Sequence, residues 1–154
     1  MWPFDHFLRG TPPFLPTDMT NMTDTPASLL GIDAQFQEHL EQGRFMIQRS
    51  RKSGRAFYYP RIAEPGTGDE DLEWFAPSGR GTVYSTTVVR VKPPALPYNV
   101  ALVDLEEGPR VTTRVAGIPA AEVRIGMKVR ASIEQVEGKA LLVFITEGGA
   151  AWQP

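Results

Sequence analysis

From Gly81 to Thr146 the sequence runs strand after strand, each ended by a short turn, and this stretch restricts the fold more than any other feature. "TVYSTTVVRV" is rich in β-branched residues, which suit a pleated, half-buried surface. "PYNVALVDL" and "RVTTRVAG" flank "EEGP", and "KVRASIEQV" and "ALLVFIT" flank "EGK". Both links carry the glycine of a hairpin turn. About five strands are predicted, with a break at "IPAAEVRIG". Five short strands closing on themselves make a small Greek-key barrel; the OB-fold is one such solution and a Tudor-like or SH3-like barrel is the alternative.

Upstream the period changes twice. "GIDAQFQEHLEQGRF" predicts a short helix, with Asp33 as its cap, Phe36 and Leu40 on one face, and Gly43 ending it in the left-handed region. "RFMIQRS" then alternates, Phe45 and Ile47 on one side and Met46 and Gln48 on the other. "RKSG" is a turn and "RAFYYP" runs back, so residues 44–60 predict a hairpin. A second Pro/Gly turn (Pro65, Gly66, Gly68) leads through the acidic cluster Asp69, Glu70, Asp71 and Glu73 into "LEWF". Phe36, Leu40, Phe45 and Ile47 are too many apolar groups for a helix and a hairpin that stand apart. They predict a docking surface, for each other or for a partner.

Composition closes several routes. The chain of 154 residues has no cysteine, which excludes disulfides and thiolate metal sites and fits a reducing, cytoplasmic setting. Its net charge of -2 argues against a general nucleic-acid binder, and no apolar run reaches the length of a membrane helix. "MWPFDHFLRGTPPFLPTDMTNMTDTP" lacks the basic start and continuous apolar stretch of a signal peptide. With prolines breaking each apolar run it reads as extended or disordered, and as an upstream start preceding Met22. The expected organisation is an N-terminal extension (1–27), a helix plus ribbon-like hairpin (28–77), a barrel (78–148) and a tail (149–154).

The order of helix, ribbon, "SGRGTVYS", "PYNVALVDLEEGPR", "VRIGMKVR" and "LLVFI" closely resembles the acyl-CoA-associated OB-fold proteins, the family numbered thirty-five among the domains of unknown function. The likeness runs from about Phe36 to Glu147. It implies a mainly β protein: an N-terminal helix, a rubredoxin-like zinc ribbon and a C-terminal five-stranded OB-fold barrel. The family's ribbon carries C-x-x-C-G, then Pro-Arg, then C-P-x-C-G. Here Ser50 and Ser53 precede a retained Gly54, Pro60 and Arg61 match, and Glu64 and Thr67 surround Pro65 before Gly68. All four implied ligands are replaced, and this set cannot build a tetrahedral zinc site, so no zinc is expected. Packing of Phe57, Tyr58, Tyr59, Trp74 and Phe75, together with hydroxyl-to-amide hydrogen bonds, is expected to compensate.

Residues 44–61 hold Arg44, Arg49, Arg51, Lys52, Arg55 and Arg61 and no acid. Such a stretch suits the phosphates of coenzyme A, and equally a solvated face balanced by the acids that follow it. Arg61 and Arg80 sit at the junction of ribbon and barrel, where both could reach one cleft, with Tyr84 or Tyr98 near the adenine. "SGRG" could cradle an anion or merely admit the chain to its first barrel strand. His6 and His39 belong to no catalytic or metal-ligand arrangement, and no nucleophile–base pair is evident.

The resemblance implies a non-catalytic accessory subunit that binds acyl-CoA or docks on a thiolase-like enzyme of lipid metabolism, either alone or as a homo-oligomer. No cofactor beyond coenzyme A or an acyl-CoA ligand is expected. A single-stranded nucleic-acid binder is the alternative for an OB-fold, with Tyr84 and Tyr98 as its stacking residues. An independent thioester enzyme has no side-chain constellation to support it.

Overall fold

Residues 31–148 are described by a computed structural model, and their burial follows the sequence periods with instructive exceptions. The N-terminal extension with Met22 and His6, and the tail from 149, lie outside the described residues. Helix α1 (Ile32–Glu41) buries Phe36 and Leu40, its i,i+4 pair. It ends in a Schellman motif: the Gly43 N–H donates to the Leu40 carbonyl and the Arg44 N–H to the His39 carbonyl, with Gly43 at φ +72°. The start differs from expectation. Gly31 is the cap residue and Asp33 lies inside the first turn, without a capping hydrogen bond. Its carboxylate there still favours the positive end of the helix.

β1 (Ile47–Ser50) is the middle of a three-stranded sheet, flanked by β2 (Ala56–Phe57) and β3 (Leu72–Phe75), both antiparallel to it. The hairpin is as expected, but the simple alternation is not. Ile47 and Gln48, on opposite faces, are both buried, at 1% and 3% exposure, Ile47 within the apolar cluster. Gln48 tolerates burial because its Oε1 accepts a 2.7 Å hydrogen bond from the Arg61 N–H.

The barrel follows: β4 (Arg80–Val89), β5 (Tyr98–Leu105), β6 (Arg110–Thr113), β7 (Val115–Ala116), a 3-10 turn (Ala120–Glu122), β8 (Lys128–Val136) and β9 (Lys139–Thr146). The sheet order is β6-β5-β4-β8-β9-β7. The expected third strand is split at Arg114. Its first half pairs with β5, and its second half pairs in parallel with β9, Val115 opposite Phe144. The split lets one chain segment change partners and close the barrel, so the five-stranded OB pattern is made from six pieces. The buried Asn99 secures the closure: its Nδ2 donates to the Val115 carbonyl (2.7 Å) and its Oδ1 accepts from the Val115 N–H (2.8 Å).

One apolar cluster joins Phe36, Leu40 and Ile47 to Val83, Val103, Val111, Val129, Leu142 and Phe144, with Phe45 packed against it. The predicted surface between helix and hairpin is therefore covered by the chain's own barrel, and its partner-facing version is withdrawn. Gln37 Nε2 adds a 3.1 Å hydrogen bond to the Ala140 carbonyl.

Among the described residues no helix is long and apolar enough to cross a membrane. Two glycines test the packing. A Cβ on Gly81 would lie 2.5 Å from Val103 Cγ1 and 2.9 Å from the Asp104 carbonyl oxygen, with backbone on one side that cannot yield. Gly54 has open space around it but a φ of +72°. We expect Gly81→Ala to cost about 3 kcal/mol by overpacking and Gly54→Ala about 1 kcal/mol by backbone strain, read from denaturant unfolding. Equal costs would contradict the close approach of β4 and β5 at Gly81. Gly54→Val should cost more than Gly54→Ala, since a β-branched residue tolerates positive φ least.

Candidate functional site

The four positions that correspond to ribbon ligands converge. Ser50 ends β1, Ser53 lies in the turn that follows, and Glu64 and Thr67 lie in the second turn. Gly54 donates its N–H to the Ser50 carbonyl (2.9 Å) and Gly68 to the Glu64 carbonyl (3.0 Å), so the two turns repeat one pattern. Glu64 is 3% exposed. Its Oε1 accepts from the Ser53 hydroxyl and its Oε2 from the Thr67 hydroxyl, both at 2.6 Å. Those lengths are typical of hydroxyl-to-carboxylate bonds, which are about twice as strong as neutral ones. Ser50, fully buried, accepts from the Lys52 and Ser53 N–H groups and donates to Asp69 Oδ2 at 3.3 Å. The carboxylate thus occupies the centre that the resemblance assigns to a metal.

The donor set does not fit zinc. It offers three hydroxyls and one carboxylate, and two of those hydroxyls already spend their protons on the carboxylate. Among the described residues no group of three or more His, Cys, Asp or Glu is placed to hold a metal ion. The hydrogen bonds from Ser53, then Thr67, hold the Glu64 carboxyl below the ordinary glutamate range, against the opposing effect of burial.

Aromatic packing flanks this knot. Phe36 meets Tyr58 edge-on at 5.9 Å, Tyr59 at 6.0 Å, and stacks with Trp74 at 6.5 Å; Phe57 is buried at 7%. His39 stands edge-on to Trp74 at 5.1 Å, and burial, then Arg44, lowers its pKa. The basic stretch faces the acidic cluster. Arg49 Nε lies 2.6 Å from Glu73, and Arg51 reaches Glu73 at 3.4 Å and Asp71 at 3.9 Å. Arg49 also covers the Phe75 ring at 4.8 Å, and Phe75 packs, half-buried, against the apolar cluster that contains Phe36.

The residues nominated for coenzyme A do not line one cleft. Arg61 borders a depression with Asp33, Tyr59 and Ile62, whereas Arg80 borders another with Thr82, Glu106 and Lys128. Arg80 lies 3.7 Å from Glu147. The Tyr84 ring is covered by the Arg110 guanidinium, 3.4 Å from its centroid, and that guanidinium grips Asp104 through bonds of 2.6 and 3.0 Å. Tyr98 is half-exposed beside Pro97 and pairs with Val89 across the strands. Arg61 and Arg80 thus border separate depressions.

Sequence reasoning passed over an open groove of about 790 Å³. Val88 near the end of β4, with Val91, Leu96 and Pro97 on the β4–β5 connection, lines one side; Ile118 and Pro119, after β7, line the other. The sequence signal for it is an apolar leucine between prolines, in "PPALP".

We expect no stoichiometric zinc in protein purified without chelator, and no change in melting temperature with EDTA; bound zinc would refute the ligand assignment. Glu64→Ala should lower the melting temperature by roughly 5 °C, Glu64→Gln by less. Because the folded-state pKa is depressed, the stabilisation is present above the ordinary value near 4.5 and is lost as pH falls through the lower folded value. Wild type and Glu64→Gln should therefore converge in melting temperature as pH drops below 4.5. A constant gap would show that the charge is irrelevant. Substituting Cys together at Ser50, Ser53, Glu64 and Thr67 should create a site for one zinc per chain.

The family model described as ChsH2, C-terminal OB-fold domain, matches residues 74–134. A DUF35 domain-containing scaffold protein of Pyrococcus furiosus is 31% identical over 100 residues, covering 62% of this chain and 74% of that protein. The 3-oxo-4,17-pregnadiene-20-carboxyl-CoA hydratase alpha subunit of Mycobacterium tuberculosis is 42% identical over 126 residues, covering 80% of this chain and 40% of the longer subunit. Of solved structures, the Ltp2-ChsH2(DUF35) aldolase matches with a TM-score of 0.68 and 32% identity, over 77% of this chain and 97% of that one. With most of the scaffold relative matched and the barrel in place, the chain belongs to the DUF35 family of OB-fold proteins.

Proposed function

We propose that this chain is a non-catalytic accessory subunit that docks on a thiolase-like, acyl-CoA-handling enzyme and helps to hold its acyl-CoA. The observation that carries the non-catalytic part is Glu64. Among the described residues it is the buried carboxylate, its two oxygens are committed to Ser53 and Thr67, and its depressed pKa makes it a poor proton acceptor. The accessory part is supported by relatives whose names are those of a scaffold protein, a hydratase alpha subunit and an aldolase containing a DUF35 chain. Of the four residues nominated for coenzyme A, Arg61 and Tyr98 keep side chains open to a ligand; Arg80 and Tyr84 are engaged by Glu147 and Arg110. With the Tyr84 face covered, the surface offers little for stacking a nucleic-acid strand.

The test is an affinity pull-down of the full chain from its source, with mass spectrometry. We expect a thiolase-like enzyme in stoichiometric amount. The isolated chain incubated with acyl-CoA should release no free thiol. Turnover by the chain alone, or recovery without any acyl-CoA enzyme, would overturn this assignment.

A further inference from the structure

The groove between the β4–β5 connection and the segment after β7 pairs two chemical features. Its walls are apolar: Val88, Val91, Leu96, Pro97 and Ile118 line it. Leu96 is 83% exposed, so a large apolar side chain is presented to solvent at the rim. Arg90 also lines it, exposed and one residue beyond β4, and Lys92 follows two residues on. Neither takes part in any ion pair or side-chain hydrogen bond among the described residues, whereas Arg49, Arg51, Arg80, Arg110 and Arg114 are all paired with acids. At about 790 Å³ the groove falls within the 300–1,000 Å³ span of small-molecule sites. An apolar trough lined by one unpaired guanidinium, with Lys92 nearby in sequence, is complementary to an amphiphile with an anionic head.

We propose that this groove is the acyl-CoA contact of the chain, the acyl and pantetheine arm lying along Val88, Leu96 and Ile118 and a phosphate meeting Arg90. This rests on the accessory-subunit assignment above and moves the ligand away from Arg61 and Arg80. A guanidinium offers phosphate a planar pair of donors, and one uncommitted to a carboxylate need not break an existing pair to do so. Tyr98, next to Pro97, stands on the adjoining sheet surface, where it borders the site without lining it.

The experiment is calorimetric titration of the full chain, at low salt, with decanoyl-CoA, coenzyme A and decanoate. Pull-down of the acyl-CoA enzyme by the same variants runs in parallel. Decanoyl-CoA should bind more tightly than either fragment. Arg90→Ala should weaken decanoyl-CoA and coenzyme A about tenfold, the loss of one charge-assisted contact. Leu96→Asp should bring decanoyl-CoA down to the affinity of coenzyme A. Both side chains are exposed, so melting temperatures should stay unchanged, and Leu96→Ala provides a milder control. Unaltered decanoyl-CoA binding in both variants would overturn the groove while leaving the accessory role intact. Equal binding of decanoate and decanoyl-CoA would overturn the phosphate contact. Loss of enzyme capture in Leu96→Asp, with acyl-CoA binding retained, would reassign the groove to the protein partner. Absence of decanoyl-CoA binding both to the chain and to its captured complex would overturn the proposal outright.

Discussion

Phe36 is the point on which the three parts of the chain converge. From helix α1 it reaches Tyr58 and Trp74 of the ribbon, and its cluster continues through Leu40 and Ile47 into the barrel core at Phe144. Strands of two to four residues, as in the ribbon, cannot bury enough surface to stand alone. Each large apolar side chain moved out of water contributes about 1.5–3 kcal/mol, so the helix and the barrel wall supply what the ribbon lacks. Ribbon, helix and barrel are consequently one packing unit, and a change at Phe36 would be felt in all three.

The knot at Glu64 belongs to the same economy of small parts. A structural metal fixes a ribbon by strong, directed bonds that need no surrounding core. Two hydroxyl-to-carboxylate bonds are weaker and lean on their setting: Ser50 must be buried, and the turns at Gly54 and Gly68 must already be formed. The charged face of the ribbon, Arg49 and Arg51 against Glu73, is solvent-exposed and contributes little.

Much of the fold was legible because its signals are local. β-branched runs with Gly turns marked the barrel strands, the i,i+4 pair marked the helix, and the repeated Gly54 and Gly68 marked the ribbon turns. What escaped was set by tertiary neighbours. The burial of Gln48 depends on the Arg61 N–H, and the break at Arg114 on β9, two strands further along the chain. The candidate site fared unevenly for the same reason. Ser50, Ser53, Glu64 and Thr67 were named through the family resemblance and do meet, because each pair lies within one tight turn. Arg61 and Arg80 were joined by an assumed chain reversal, and they border different depressions. The groove at Leu96 drew no notice because proline-flanked loops look alike whether or not they wall a cavity.

The barrel's closure carries a consequence for how the molecule assembles. Val115 must lie parallel to Phe144, whereas the other pairings in that sheet are antiparallel. Turns between near neighbours form in microseconds, but a parallel contact across the intervening strand and turn requires a longer loop to be ordered first. Loop closure therefore favours the hairpins β4–β5 and β8–β9 ahead of the seam between β7 and β9. Asn99, which belongs to the first hairpin, holds both backbone groups of Val115 and so acts as the latch between that hairpin and the seam. The groove, walled on one side by the β4–β5 connection and on the other by the chain just beyond that seam, comes into being only when the latch engages; it is a product of the completed fold and of no fragment of it.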